Sequence, residues 1–142
     1  MDHDHREPLH ILLVEDNPAD VRLIQENLKD IPLRTQLSVV EDGEKALAFL
    51  RRQGSYTDAP RPDFILLDLH LPRKNGDEVL AEMQSDPTLN EIPVAVCLAS
   101  EADKPWLARH RLPDECVFVK GFAPDQLLHT LTRCPEKTTG TR

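Results

Sequence analysis

The sequence predicts a single α/β domain built on a parallel sheet, and three observations carry that reading. Short continuous apolar runs, Ile11-Leu12-Leu13-Val14 and Phe64-Ile65-Leu66-Leu67 foremost, have the form of strands buried on both faces rather than one. Strand and helix signals alternate five times, which favours layered α/β architecture over two separate halves. A length of 142 residues suits one domain with a substantial core.

Taken in order, the first strand ends at Glu15-Asp16, and Pro18 suits the first turn of a helix whose apolar residues Val21, Ile24 and Leu28 recur at helical spacing up to Asp30. Residues 33–40 form the second strand. Asp42-Gly43 then turns the chain into a helix carrying Ala46, Leu47 and Leu50, with Gly54 as its stop. Residues 55–62 are a polar loop. The third strand ends at Asp68, and Pro72 and Gly76 bound a loop before a helix with Val79, Leu80 and Met83. Residues 92–99 are the fourth strand, and Asp103-Lys104-Pro105-Trp106 has the form of a short helix's start. Residues 115–119 are the fifth strand, Lys120-Gly121 a turn, and Leu127, Leu128 and Leu131 face a last helix. Residues 1–8 and 135–142 are expected to be flexible tails around a domain spanning 9–134.

The ends of the first and third strands are where chemistry is expected. Glu15, Asp16 and Asp68 terminate apolar strands, and ligands of such sheets bind at the strands' C-terminal ends. Three converging carboxylates repel one another unless a cation lies between them, and an all-oxygen donor set suits Mg²⁺. Asp16 also has a duller reading as a cap of the helix beginning at Pro18, and Asp68 as a solvated loop carboxylate.

Composition narrows the function classes. With 17 basic against 25 acidic residues there is no basic footprint for nucleic acid. No apolar stretch reaches the roughly 20 residues of a membrane span, and the N-terminus lacks a signal-peptide core. The chain is therefore expected in the cytoplasm, with Cys97, Cys116 and Cys134 as reduced thiols. Neither G-x-G-x-x-G nor G-x-x-x-x-G-K-[ST] occurs, so no nucleotide phosphate cradle is present. His3 and His5 read as part of a polar tail, and Trp106 as either a partner contact or a core residue.

The chain resembles the receiver domains of bacterial two-component response regulators over about residues 9–134. The resemblance rests on Glu15-Asp16-Asn17-Pro18-Ala19-Asp20-Val21-Arg22-Leu23, on Arg61-Pro62-Asp63, on Asp68-Leu69-His70-Leu71-Pro72-Arg73-Lys74-Asn75-Gly76, and on Ile92-Pro93. The same segments are similar to the subgroup that partners phytochrome-type sensor histidine kinases. The resemblance implies a flavodoxin-like, doubly wound sheet of five parallel strands in the order 2-1-3-4-5, with five helices. It implies that Glu15, Asp16 and Asp68, with the backbone carbonyl of His70, hold Mg²⁺, that Asp68 accepts a phosphoryl group from a kinase histidine, and that Lys120 supplies a second positive charge.

Three positions depart from the family pattern. The hydroxyl residue expected at the end of the fourth strand is Leu98, the aromatic switch position is Val117, and the proline after the lysine is Gly121. Ala99 is small, as the family requires, and Ser100 offers a hydroxyl that partly compensates for Leu98.

The expected function is that of a stand-alone response regulator rather than an enzyme. Its partners are a sensor histidine kinase, a second copy of the chain meeting through Val117-Phe118-Val119 with Trp106 and Leu107, and a downstream phosphotransfer protein. The alternative is a pseudo-receiver that binds a partner without phosphorylation. A small Mg²⁺-dependent phosphohydrolase is disfavoured, because no separate general acid or lid is evident.

Overall fold

The computed structural model describes residues 8–71, 73–98, 100–103, 105, 116–119 and 124–133. Within them β1 (Leu9–Val14), β2 (Thr35–Val40), β3 (Phe64–Asp68), β4 (Val94–Leu98) and β5 (Val117–Val119) form one sheet in the order β2-β1-β3-β4-β5. Every neighbouring pair is parallel. All five residues of β3 and of β4 are buried, as expected of central strands covered on both faces.

Side-chain alternation along the strands feeds two separate cores. Leu12, Val14, Ile65, Leu67, Val94, Val96 and Leu98 face one layer, where Ala46, Leu47 and Phe49 of α2 (Gly43–Arg51) and Val79, Leu80 and Met83 of α3 (Gly76–Ser85) cover them. Ile11, Leu13, Phe64, Leu66, Ala95 and Cys97 face the other. There Ile24 and Leu28 of α1 (Pro18–Lys29) and Leu127 of α4 (Pro124–Arg133) complete the packing. Burying each such aliphatic side chain stabilises the fold by roughly 1.5–3 kcal/mol, so the period-2 pattern sets which helix lies on which face.

The helix starts follow local chemistry closely. Asn17 caps α1, its Oδ1 accepting from the Ala19 amide at 2.9 Å with Pro18 in the first turn. Asp42 caps α2 and Asn75 caps α3, the latter in a reciprocal capping box with Glu78. The stop of α2 differs from the sequence expectation. Arg52 takes the left-handed conformation (φ 56°), and the amides of Arg52 and Gln53 bond back to Phe49 and Ala48. Gly54 instead opens a 3₁₀ turn, Gly54–Tyr56, that brings the Tyr56 ring 5.4 Å from that of Phe49. Part of the expected polar loop is thus packed structure, because an aromatic side chain within it found an apolar partner.

β2 and β4 each start two residues later than the apolar runs suggested, and β5 starts at Val117, while Ala99 and Glu115 lie outside the described residues. Pro93 cannot donate to a strand ladder, which delays β4. A 3₁₀ turn, Glu101–Asp103, precedes the expected helix start, while Lys104, Trp106 and the rest of that expected helix lie outside the described residues. Four α-helices are present among the described residues, against five expected.

The cysteines are not all reduced thiols. Cys97 is a buried thiol in β4, but Cys116 is disulfide-bonded. Disulfide pairing depends on how close the fold brings two Cβ atoms, which spacing in the sequence does not reveal.

Candidate functional site

β1 is followed by a crossover to β2 on one side, and the next strand, β3, is laid down on β1's other side. The chain therefore diverges at the C-terminal ends of β1 and β3, and this topological switch point opens the crevice where α/β sheets bind ligands. Register places Val14 of β1 opposite Leu67 of β3, so the residues that follow, Glu15-Asp16 and Asp68, emerge side by side. Carboxylate oxygens of Glu15, Asp16 and Asp68 all lie within 4.8 Å of one another. This is the group of three potential metal-ligating side chains found among the described residues.

Burial makes the arrangement electrostatically demanding. Glu15 is 1% and Asp68 2% exposed, whereas Asp16 is exposed. One oxygen of Glu15 accepts from the Asn17 amide at 3.2 Å, which orients its carboxylate toward the strand ends. Two nearly buried carboxylates beside a third cannot all be charged at modest energy without a cation. The donor set is all oxygen, which fits a hard divalent ion such as Mg²⁺ and would be a poor site for a soft one. Asp16 is not the helix cap, because Asn17 fills that role, and Asp16 is left to the cluster.

The loop after β3 closes over the site's edge. The Leu69 amide donates to the Cys97 carbonyl at 3.2 Å and the Gly76 amide to the Leu69 carbonyl at 3.1 Å, so this loop is tied both to β4 and to itself. A Cβ on Gly76 would sit 2.8 Å from the Asp68 carbonyl oxygen, a closeness that only glycine tolerates. The His70 side chain points outward, with Nε2 3.5 Å from Asp103 Oδ1. Leu69, His70, Asn75, Asp77, Ala102, Asp103 and Pro105 line a polar cavity of about 390 Å³ beside it.

The remaining expected residues divide between those that the structure locates and those that it does not. Ser100 is exposed, and its hydroxyl oxygen accepts from the Ala102 amide at 3.2 Å while its own amide faces Asp103 Oδ2 at 3.4 Å. Its hydroxyl oxygen thus caps the turn after β4. Leu98 is fully buried in the layer under α2 and α3, and Val117 and Val119 pack against that layer half-buried. Lys120, Gly121 and Ala99 lie outside the described residues. Asn17, Asp42 and Asp103 were not singled out as site neighbours from the sequence. The available signals are Asn17 before Pro18 and the Asp42-Gly43 turn.

Comparison with known proteins agrees with this fold. The family model described as the response regulator receiver domain matches residues 11–132. The response regulator Rcp1 of Synechocystis sp. is 45% identical over 120 residues, covering 84% of this chain and 82% of Rcp1. The crystal structure of the Mn²⁺-bound form of Rcp1 superposes with a TM-score of 0.74 at 42% identity, covering 88% of this chain and 91% of that one. The phosphorylated cyanobacterial phytochrome response regulator RcpA gives a TM-score of 0.73 at 43% identity, with 89% and 91% of the two chains covered. The bacteriophytochrome response regulator AtBRR gives 0.81 at 33% identity, with 89% and 92% covered.

Proposed function

This chain belongs to the response regulator receiver domain family, and on that premise we propose that it accepts a phosphoryl group from a sensor histidine kinase, of the phytochrome type, onto Asp68. The observation that carries the proposal is the convergence of Glu15, Asp16 and Asp68 within 4.8 Å at the sheet's switch point. Its relatives Rcp1, seen with Mn²⁺, and RcpA, seen phosphorylated, support the reading.

In the proposed reaction a carboxylate oxygen of Asp68 attacks the phosphorus of a phosphohistidine in line, the O–P bond forms as the P–N bond breaks, and the kinase imidazole leaves. Glu15, Asp16 and Asp68, with the His70 carbonyl, would hold Mg²⁺. When bound, Mg²⁺ supplies positive charge that offsets the repulsion between a carboxylate nucleophile and phosphoryl oxygens. The Asn17 amide holds the Glu15 carboxylate of the acidic pair in place, and the tied loop after β3 keeps Asp68 aimed into the crevice. Lys120 adds a second cation, and the Ser100 hydroxyl is a candidate donor to the phosphoryl group. Phosphoryl transfer of this kind makes the protein a signalling acceptor that catalyses its own phosphorylation and dephosphorylation.

The switch is atypical in this reading. Leu98 fills with hydrocarbon the place where the family has a hydroxyl donor, and Val117 and Gly121 replace the aromatic ring and the proline. This favours a second reading in which the protein acts as a phosphorylation-independent binding module. A homodimer through β5, a downstream phosphotransfer partner and a cytoplasmic location complete the proposal. Among the described residues no helix is long and apolar enough to cross a membrane.

The test is intact mass after incubation with the kinase, or with a small phosphodonor and Mg²⁺. One added phosphoryl group, absent in Asp68→Asn, supports the acceptor. An unchanged mass with retained kinase binding supports the binding module instead.

A further inference from the structure

The loop between β3 and α3 is fastened to a helix that takes no part in the acidic cluster. Asp42 caps α2 through Oδ1, which accepts from the Lys45 amide at 2.7 Å, while its other oxygen lies 3.5 Å from Nε of Arg73. The Asp42 side chain is only 6% exposed, so this contact is made by a carboxylate largely withdrawn from water. Arg73 also reaches Glu44 at 4.0 Å. Its backbone holds φ at 66°, the left-handed region, which a non-glycine residue keeps only where its surroundings impose it.

The neighbouring residue is fixed by contact rather than charge. A Cβ on Gly43 would fall 1.8 Å from the Lys74 carbonyl oxygen, so the loop backbone reaches the start of α2 only because residue 43 is glycine. Lys74 then pairs with Glu82 of α3. At the loop's other end, Gly76 bonds to Leu69 and abuts the Asp68 carbonyl. The loop is short and closed on itself, so a shift at residues 73–74 has little slack to absorb it before residues 68–70.

We propose that Asp42, Gly43 and Arg73 are positioning residues for the metal site: the start of α2 sets the path of the β3–α3 loop, and through it the placement of the His70 carbonyl against Asp68. The inference rests on the Mg²⁺ reading above. Docking of any partner on the start of α2 would, by the same coupling, act on the phosphoacceptor.

The experiment is Mg²⁺ titration of the full chain by calorimetry, with metal-free thermal unfolding in parallel. Arg73→Asn removes the guanidinium but keeps a residue that tolerates positive φ. Its Mg²⁺ affinity should fall about threefold, the scale of one partly exposed ion pair, with at most a small drop in melting temperature. Arg73→Lys should restore part of that loss. Gly43→Ala should push residue 74 away and lower affinity about tenfold, the scale of lost outer-shell support. Wild-type affinity in Arg73→Asn overturns the proposal, as does a Gly43→Ala protein that melts earlier yet binds Mg²⁺ unchanged. If the unmodified chain does not bind Mg²⁺, or binds it equally well after Asp16→Asn, the metal reading itself falls and this inference with it. Loss in Asp16→Asn alone removes only the inference.

Discussion

Replacing Leu98 with threonine restores the hydroxyl that the receiver family places at the end of β4, and its consequences can be worked from packing. Leu98 is 0% exposed and belongs to the layer that includes Leu67, Leu69 and Val96, with Val117 and Val119 against it. The change removes two buried carbons, leaves a small void and places a hydroxyl in apolar surroundings. Together these should destabilise the unphosphorylated protein by about 3 kcal/mol. A domain of this kind has roughly 5–15 kcal/mol in hand, so the variant should still fold. Once a phosphoryl group occupies Asp68, the same hydroxyl gains an anionic acceptor, and a charge-assisted hydrogen bond contributes roughly 1.5–3 kcal/mol. Urea unfolding with and without beryllofluoride and Mg²⁺ measures both quantities. The mimic should stabilise Leu98→Thr more than the unaltered protein by about the value of that bond, and amide shifts in the unaltered protein should stay near Asp16, Asp68 and Lys120. Equal stabilisation of the two proteins, or wide shifts through β5 of the unaltered one, would refute the reasoning.

Four further outcomes are expected. Asp68→Asn should abolish acid-labile or base-labile labelling by a histidine kinase, and full label surviving in that variant would move the acceptor elsewhere. Asp16→Asn should weaken Mg²⁺ binding at least tenfold, as loss of one charged ligand of a hard cation does, read by calorimetry. In the α2–α3 ion-pair group, the hydrogen bond to Lys74 holds Glu82 below the ordinary carboxylate range, and bonds from Thr88 do the same for Asp86. Their stabilisation is present above that range and lost as pH falls through it, so Glu82→Gln should flatten the acid limb of a stability profile, and less so in high salt. Light scattering at tens of micromolar should give a dimer mass, and Val117→Lys should shift it toward the monomer; a monomeric unaltered protein would end the β5 interface proposal.

Much of the fold was legible because the patterns that carry it are local. Apolar runs uninterrupted by polar residues mark central strands, and Pro18 and Asp42-Gly43 mark helix starts, although the cap of α1 is Asn17 and not Asp16. Gly54 misled because a glycine stop is a preference: Arg52 adopted the left-handed conformation itself, and the glycine went to a turn packed on Phe49. The acidic cluster was legible for a similar reason, since Glu15-Asp16 follows one apolar strand, Asp68 ends another, and parallel strands end on one edge of a sheet. The strand order and residue roles came from family resemblance, and the order is borne out by the sheet.

By itself the sequence determined an α/β chain and which carboxylates stand at its strand ends, because periodicity is written into neighbouring residues, and its motifs carried the resemblance to receiver domains. Only the tertiary structure decided how deeply those carboxylates are buried, that Leu98 packs into the α2–α3 core, that Cys116 is disulfide-bonded, and that Gly43 and Asp42 hold the loop beyond Asp68. Each of these depends on groups separated in the chain meeting in space, and no local pattern encodes the distance at which they meet.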